Sequence, residues 1–277
     1  MNELAKIGLK TLCYLAPKQA GQIATKLFTQ SRNATNPHRK AYTPIGAQSI
    51  SIEAYGRKVR QYYMWGDSGD IVLLLHGWGS ECGSMFSLAS YLAKQGHRVV
   101  TFDAPAHGAS AGKFASMSEY VSDTKLILNE LSSFGTVTRV VAHSLGGIVA
   151  MAATKEFPAI KQVVLISAPY SLNDVLSIWS RNVINLGSKV RDNVLRQLLK
   201  DNGVPVSYWD ISLHGKEHHA DILVVHAIDD NIIDIEHGER ICNALPSATM
   251  ETVDELGHIK ILSSLKVHQK ISHFFNA

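Results

Sequence analysis

The stretch that most constrains this chain runs from Arg139 to Ala150 and reads Arg-Val-Val-Ala-His-Ser-Leu-Gly-Gly-Ile-Val-Ala. The β-branched pair Val140-Val141 ends in the small residue Ala142, and an apolar, helix-like run begins directly after a serine flanked by small residues. That pattern predicts a strand, a very tight turn and a helix. A serine on such a turn has its hydroxyl lifted off the sheet, while the helix behind it points unpaired N–H groups at whatever the serine attacks. The backbone is crowded at this point, so small residues are needed two before and two after the serine. Ala142 and Gly146 fill those places around Ser144.

The flanking sequence supplies strands for such a turn to project from. Gln48 to Ala54 and Lys58 to Trp65 flank Tyr55-Gly56-Arg57 as a hairpin, and Ile71 to Leu75 is a continuous apolar run of the buried, parallel kind. The pattern then alternates. Helices are predicted from about Gly83 to Lys94 and from about Ser116 to Leu131, with a strand Arg98 to Phe102 between them, and the central strand and its helix reach about Phe157. A strand from Gln162 to Ala168, a strand Ile222 to Ala227, a helix near Ile235 to Ala244, a strand near Ala248 to Val253 and a helix after His258 complete the series. An antiparallel start followed by strand–helix units predicts a mostly parallel sheet with helices on both faces. Tyr170 to Ala220 is too long for an ordinary crossover, carries Trp179 and Trp209, and reads as a helical cap over the carboxyl ends of the strands, where open α/β sheets bind ligands, the alternative being a surface insertion with no substrate role.

Size and composition are those of an ordinary globular protein. The 277 residues are 45% hydrophobic and 18% charged, and the formal net charge of +3 comes from scattered rather than clustered lysines and arginines, so nucleic acid is not implied. Cys13, Cys82 and Cys242 lie far apart with no C-x-x-C pair, which suggests neither disulfide framework nor zinc site and fits a reducing, cytoplasmic setting. The first thirty residues carry Leu4, Ile7, Leu12, Leu15, Ile23, Leu27 and Phe28 among lysines. Lys6 and Lys10 interrupt the first apolar run, and nothing reaches the ~20 apolar residues of a membrane span, so this segment reads as one or two amphipathic helices packed on the domain, with a membrane-surface or partner-binding segment as the alternative. Ser31 to Pro44 reads as an irregular connection. The expected organisation is a helical segment and linker over 1–44, then an α/β domain over 45–277 with the cap at about 170–220.

A serine hydroxyl is a poor nucleophile at neutral pH; it needs a histidine to take its proton and an acid to orient that histidine. With 13 histidines in the chain, only position discriminates. His258 follows the last predicted strand directly, and Gly257 before it lets the loop turn the ring toward Ser144. His237, His268 and His273 fall within helical patterns, and His214, His218 and His219 belong to the cap's polar tail, where their spacing does not suit a metal site. For the acid, Asp229 and Asp230 both lie where the strand Ile222 to Ala227 ends, and one carboxylate of this turn (Asp229 or Asp234) suits a helix cap near Ile235. Donors for a developing oxyanion are expected from the amide of Leu145, just past Ser144, and from the amide of Trp78 in the glycine loop Leu75-His76-Gly77-Trp78-Gly79-Ser80. Gly77, His143, Trp179 and Trp209 are expected to contact substrate.

In chain order the signals are His-Gly-Trp-Gly, then Asp103-Ala-Pro-Ala-His-Gly-Ala-Ser110, then Ala-His-Ser-Leu-Gly-Gly, Asp230 and Gly257-His258. From about Gln48 to the carboxyl end this resembles the α/β-hydrolase superfamily, whose triad follows the order nucleophile, acid, histidine. His226 to Asp234 is similar to the superfamily's His-Gly-x-x-Asp-x-x-Val-Pro, and this selects Asp230 over Asp229. Ala106, Ala142 and Ala227 stand where the superfamily pattern has glycine. The resemblance implies an eight-stranded, mostly parallel sheet with a helical cap, and a triad of Ser144, Asp230 and His258 with no cofactor or metal. The implied reaction is cleavage of a small-molecule ester or thioester of a small to medium acyl group through an acyl-enzyme, by a monomer or homodimer. Carbon–carbon bond hydrolases and lyases share the scaffold. A non-catalytic binding protein is the reading from a different class.

Overall fold

The computed structural model describes residues 8, 11–30, 43–54, 58–183 and 186–277. Leu4 and Ile7, most of the connection expected over 31–44, and the hairpin turn at 55–57 lie outside those residues. The described strands form one eight-stranded sheet: β1 (Ala47–Ala54), β2 (Lys58–Trp65), β3 (Ile71–Leu75), β4 (Arg98–Phe102), β5 (Val137–His143), β6 (Gln162–Ile166), β7 (Asp221–Ala227) and β8 (Ala248–Val253). Their order is β1-β2-β4-β3-β5-β6-β7-β8. Only the β1–β2 and β2–β4 pairings are antiparallel, as the hairpin and the alternating units predict.

The sheet is covered on both faces, which explains why its central strands read as unbroken apolar runs. Alternate residues of β3 divide between two cores. Ile71, Leu73 and Leu75 pack with the helices Met117–Leu131 and Gly146–Thr154, whereas Val72 and Leu74 pack with the helices Phe86–Lys94 and Leu265–Phe275. Every residue of the helix Gly146–Thr154 is buried, as its all-round apolar sequence requires. The helix Met117–Leu131 starts where Ser116 Oγ accepts the amide of Glu119 at 3.1 Å, an N-cap bond.

Between β6 and β7 the chain inserts the helices Leu172–Val183, Ser188–Asn202 and Ile211–Gly215. The base of the insertion is closed by two backbone hydrogen bonds, Leu172 N to Trp209 O and Ile211 N to Tyr170 O. The helix Pro17–Thr29 starts with proline at its first position, where the missing N–H costs nothing. It packs along the helix Ser188–Asn202, with Ala20, Gly21, Ala24 and Thr25 buried. Gly21 is needed there, because a Cβ would stand 2.5 Å from Asn193 Cβ. At its other end Gln30 bridges to Phe114, and Thr29 O accepts the Ala115 amide. Among the described residues no helix is long and apolar enough to cross a membrane.

Candidate active site

Ser144 follows β5 directly and precedes the helix Gly146–Thr154, and its φ of 52° puts it in the left-handed region that L residues avoid. The turn is locked: Ser144 N donates to Ile166 O at 2.9 Å, and Gly147 N to Ser144 O at 2.8 Å. The surroundings leave no spare room. A Cβ on Gly146 would lie 2.6 Å from His76 O, and one on Gly77 2.9 Å from Ser144 Cβ. Small residues here are therefore a steric requirement of bringing the turn after β5 against the loop after β3. Ala142, by contrast, lies within a strand and outside the positive-φ set, so glycine is not demanded there.

His258 sits on the short helix Gly257–Lys260, entered through Gly257 at φ 52°, the turn for which that glycine was expected. Its Nε2 lies 3.0 Å from Ser144 Oγ and its Nδ1 2.7 Å from Asp230 Oδ2. The other Asp230 oxygen, Oδ1, accepts the amides of Ile232 and Ile233, both at 2.9 Å. Burial pushes the Asp230 carboxyl up, but the hydrogen bonds from His258, Ile233 and Ile232 outweigh it and hold the pKa at about 2. Asp229 is exposed and instead accepts the amides of Leu256 and Gly257, tying down the loop before His258. Asp234 stands two residues before the helix Glu236–Ala244, and its Oδ1 accepts the Glu236 amide at 2.9 Å.

The glycine loop is held by buried neutral histidines. His76 Nε2 accepts the Ala104 amide at 3.0 Å, so Nδ1 carries the proton and donates to Gly77 O at 2.8 Å. His107 repeats the device, accepting the Gly79 amide at 2.9 Å and donating to Pro105 O at 2.8 Å. Burial lowers both imidazoles to about 4. Asp103 joins the same frame by accepting the amides of Cys82 and Ala109, each at 2.8 Å. Tyr120 Oη donates to His76 O at 2.9 Å. The Asp103 to Ser110 stretch thus supports the loop that carries Trp78, a use that its sequence alone did not disclose. Among the described residues the amides of Trp78 and Leu145 donate to no protein acceptor, while those of Ser144, Gly79 and Gly147 are all engaged.

His143 Nε2 donates to the carbonyl of His258 at 2.9 Å, with the two rings 4.7 Å apart, and burial lowers its pKa to about 3. Ser144, Leu145, His143, Gly77, Trp78 and His258 all face one cavity of about 570 Å³, within the usual size range of ligand sites. Trp179 lines it too. Trp209, expected at the same site, does not. It is 2% exposed beneath the insertion, against the rings of Tyr208 and His214, because its backbone closes the insertion's base and turns the indole into the core. The cavity also has a wall absent from the expectation, the end of the helix Pro17–Thr29. Among the described residues, no group of histidine, cysteine or carboxylate side chains is arranged to hold a metal ion.

The chain is similar to known proteins to differing extents. The profile of a hydrolase family described as serine aminopeptidase, S33, matches residues 66–209, just over half of the chain. Methylesterase 9 of Arabidopsis thaliana is 36% identical over 89 residues, 31% of this chain and 35% of that protein, so the match spans about a third of the relative. The 2-hydroxy-6-oxo-6-phenylhexa-2,4-dienoate hydrolase of Burkholderia cepacia is 21% identical over 234 residues, 69% of this chain and 82% of that protein. An esterase of Pyrococcus furiosus superposes with a TM-score of 0.66 at 18% identity, covering 89% of this chain and 98% of that one, a likeness of fold alone.

Proposed function

The chain belongs to the serine aminopeptidase S33 family of the α/β-hydrolase superfamily, and from that premise we propose that it is a serine hydrolase of carboxylic esters or thioesters with a small to medium apolar acyl group. The observation that carries the reading is the unbroken line from Asp230 through His258 to Ser144, at 2.7 and 3.0 Å, opening onto an apolar cavity. In this reading Ser144 Oγ attacks the acyl carbonyl as His258 Nε2 takes its proton. The C–O or C–S bond then breaks, and His258 returns the proton to the leaving alcohol or thiol. Water, deprotonated by His258, attacks the acyl carbon, and Ser144 leaves with the proton restored. Asp230, kept ionised, holds the imidazole in the required tautomer and stabilises the imidazolium. The amides of Trp78 and Leu145 face the oxyanion, and each such donor is typically worth about 10²–10³ in rate.

The lining argues for an ester rather than a peptide with a free amino end. Among the described residues no Asp or Glu faces the cavity that holds Ser144, so no carboxylate there would pair an ammonium group. In the neighbouring cavity Asp174 is engaged by Arg240 at 3.1 Å and by Ser171 Oγ, and Asp234 by the Glu236 amide. The helices between β6 and β7 act as the cap in this reading, on an α/β domain of residues 45–277, and the protein works on a small molecule in the cytoplasm as a monomer or homodimer. The name of the Burkholderia relative keeps carbon–carbon bond cleavage as a second reading.

A chain-length series of p-nitrophenyl esters, assayed with wild type and Ser144→Ala beside fluorophosphonate labelling, tests the proposal. Wild type should label and show a peak in the series, and Ser144→Ala should do neither. A folded wild type that neither labels nor hydrolyses any ester would overturn it in favour of a binding role.

A further inference from the structure

The helix Pro17–Thr29 lies outside the stretch matched by the family profile, which begins at residue 66, yet Leu27, Phe28, Thr29 and Gln30 all line the cavity that holds Ser144. We infer that this helix is part of the acyl-binding site, and that Phe28, paired with Trp179, sets the length of acyl chain the cavity takes. The inference rests on the reading of that cavity as the acyl site of a serine hydrolase.

Three observations lead there. First, the helix is a fixed wall. Small residues let it sit tight on the helix Ser188–Asn202, with Gly21 touching Asn193, and its carboxyl end is tied to 114–115 by the Gln30–Phe114 bridge and the Thr29 carbonyl. A wall held at both ends limits what fits behind it. Second, Phe28 meets Trp179 edge to face, with ring centroids 5.3 Å apart, so two rings from helices distant in sequence close on each other at the cavity surface. Third, the cavity divides by origin. Its reactive groups come from strand ends, loops and the four-residue helix Gly257–Lys260, whereas the long helices supply Phe28, Leu172, Val175, Ile178, Trp179 and Leu198 as hydrocarbon and ring surface, with Thr29 and Asn202 beside them. Beyond its histidines the lining carries no titratable side chain among the described residues, so nothing there offsets the cost of burying a charged acyl group, and the ring and aliphatic side chains favour a largely hydrocarbon one.

The test replaces the ring and reads the chain-length profile. Phe28→Ala should move the optimum of the p-nitrophenyl ester series to chains at least two methylenes longer. Burial of each additional methylene raises kcat/KM about 4-fold, so esters two methylenes longer should gain roughly 15-fold. Gln22→Ala, on the exposed side of the same helix, should keep the wild-type profile. A folded Phe28→Ala protein whose profile superimposes on wild type overturns the inference. Should Phe28→Ala fail to fold, Phe28→Leu decides by the same readout, with a shift of one methylene supporting the assignment and no shift ending it. Binding of a saturated fatty-acid series, followed by tryptophan fluorescence, separates this inference from the enzymatic one. If wild type hydrolyses nothing but Phe28→Ala still shifts the preferred fatty-acid length, the acyl wall stands and the hydrolase reading falls; an unshifted preference removes the wall.

Discussion

The strand-end half of the cavity is held by backbone geometry and buried polar bonds, whereas the helical half is held by apolar side chains in contact. In the first half His76 and His107 each bridge two backbone groups, and Gly77 and Gly146 have no space for a methyl. In the second, Leu172, Val175 and Trp179 fill the wall from one helix face at helical spacing, and any residue of similar bulk would do so as well. The difference teaches that, in the proposed reaction, rate and selectivity are separable. There, rate depends on groups that cannot move by a fraction of an ångström, and selectivity on groups that can be exchanged.

The largest expected effects lie in the strand-end half. Asp230→Asn should lower kcat by about 10³–10⁴-fold, because the amide cannot hold the His258 tautomer, while Asp229→Asn should cost only a few-fold, through the loop at 256–257. Steady-state kinetics of both variants would sink the assignment of the acid if the losses were equal. Next comes Gly146→Ala, which forces a methyl against His76 O and should cost about 10²-fold in kcat with the acyl-length optimum unmoved. Val175→Ala is its mirror image, with a moved optimum and a rate loss below tenfold. If Gly146→Ala displaced the optimum, or Val175→Ala collapsed the rate on every ester, the division between the two halves would be broken.

The polar frame also predicts a pH dependence of stability that the helical wall does not share. His76, His107 and His143 are depressed by burial to about 4, 4 and 3, so the unfolded chain takes up protons near pH 6.5 while the folded chain does not. Their contribution is fully present above pH 6.5 and is lost as the pH falls toward 4, at up to about 1.4 kcal/mol per pH unit for each histidine. Asp230 acts in a lower window. Its depressed pKa adds about 2 kcal/mol above pH 4, lost as the pH falls toward 2. Urea unfolding of wild type and His107→Gln between pH 7 and 5 checks the first window. Wild type should show the steeper decline, and identical slopes would mean that His107 is not kept neutral by the fold.

The same division decides what could be read from the sequence. Backbone requirements leave few choices of residue type, so the crowded turn at Ser144, the glycine loop and the strand order were legible as motifs. The packed wall leaves many choices, and its residues looked like any amphipathic helix. Phe28 was visible only as one apolar residue in an amino-terminal run, since nothing local signals that its helix docks on one more than 150 residues away. Trp209 was misassigned for the related reason that exposure of a tryptophan in an insertion is decided by where the insertion closes, here at Tyr170 and Trp209 themselves. Asp103, His76 and His107 stood within recognised motifs, but their bonds to backbone amides have no counterpart in spacing.

The smallest predicted effect separates two alanines that look alike in sequence. Ala106 and Ala142 both stand where the superfamily pattern has glycine, and both are buried. Ala106 has φ 60°, a conformation that costs an L residue roughly 1–2 kcal/mol, whereas Ala142 lies in β5 without that strain. Replacing either with glycine frees the unfolded chain, at a cost of about 0.5–1 kcal/mol, and removes one buried methyl worth roughly 0.8 kcal/mol. Only at Ala106 does relief of strain oppose those losses. Ala106→Gly should therefore unfold within about 1 kcal/mol of wild type, and Ala142→Gly about 1–2 kcal/mol more easily than Ala106→Gly. For a chain of this size the gap is a Tm difference of a few degrees. Thermal melts of the two variants side by side measure it directly. Equal melting temperatures would mean that the turn from Asp103 to Ser110 holds Ala106 without strain, and that the glycine of the superfamily pattern serves something other than backbone conformation there.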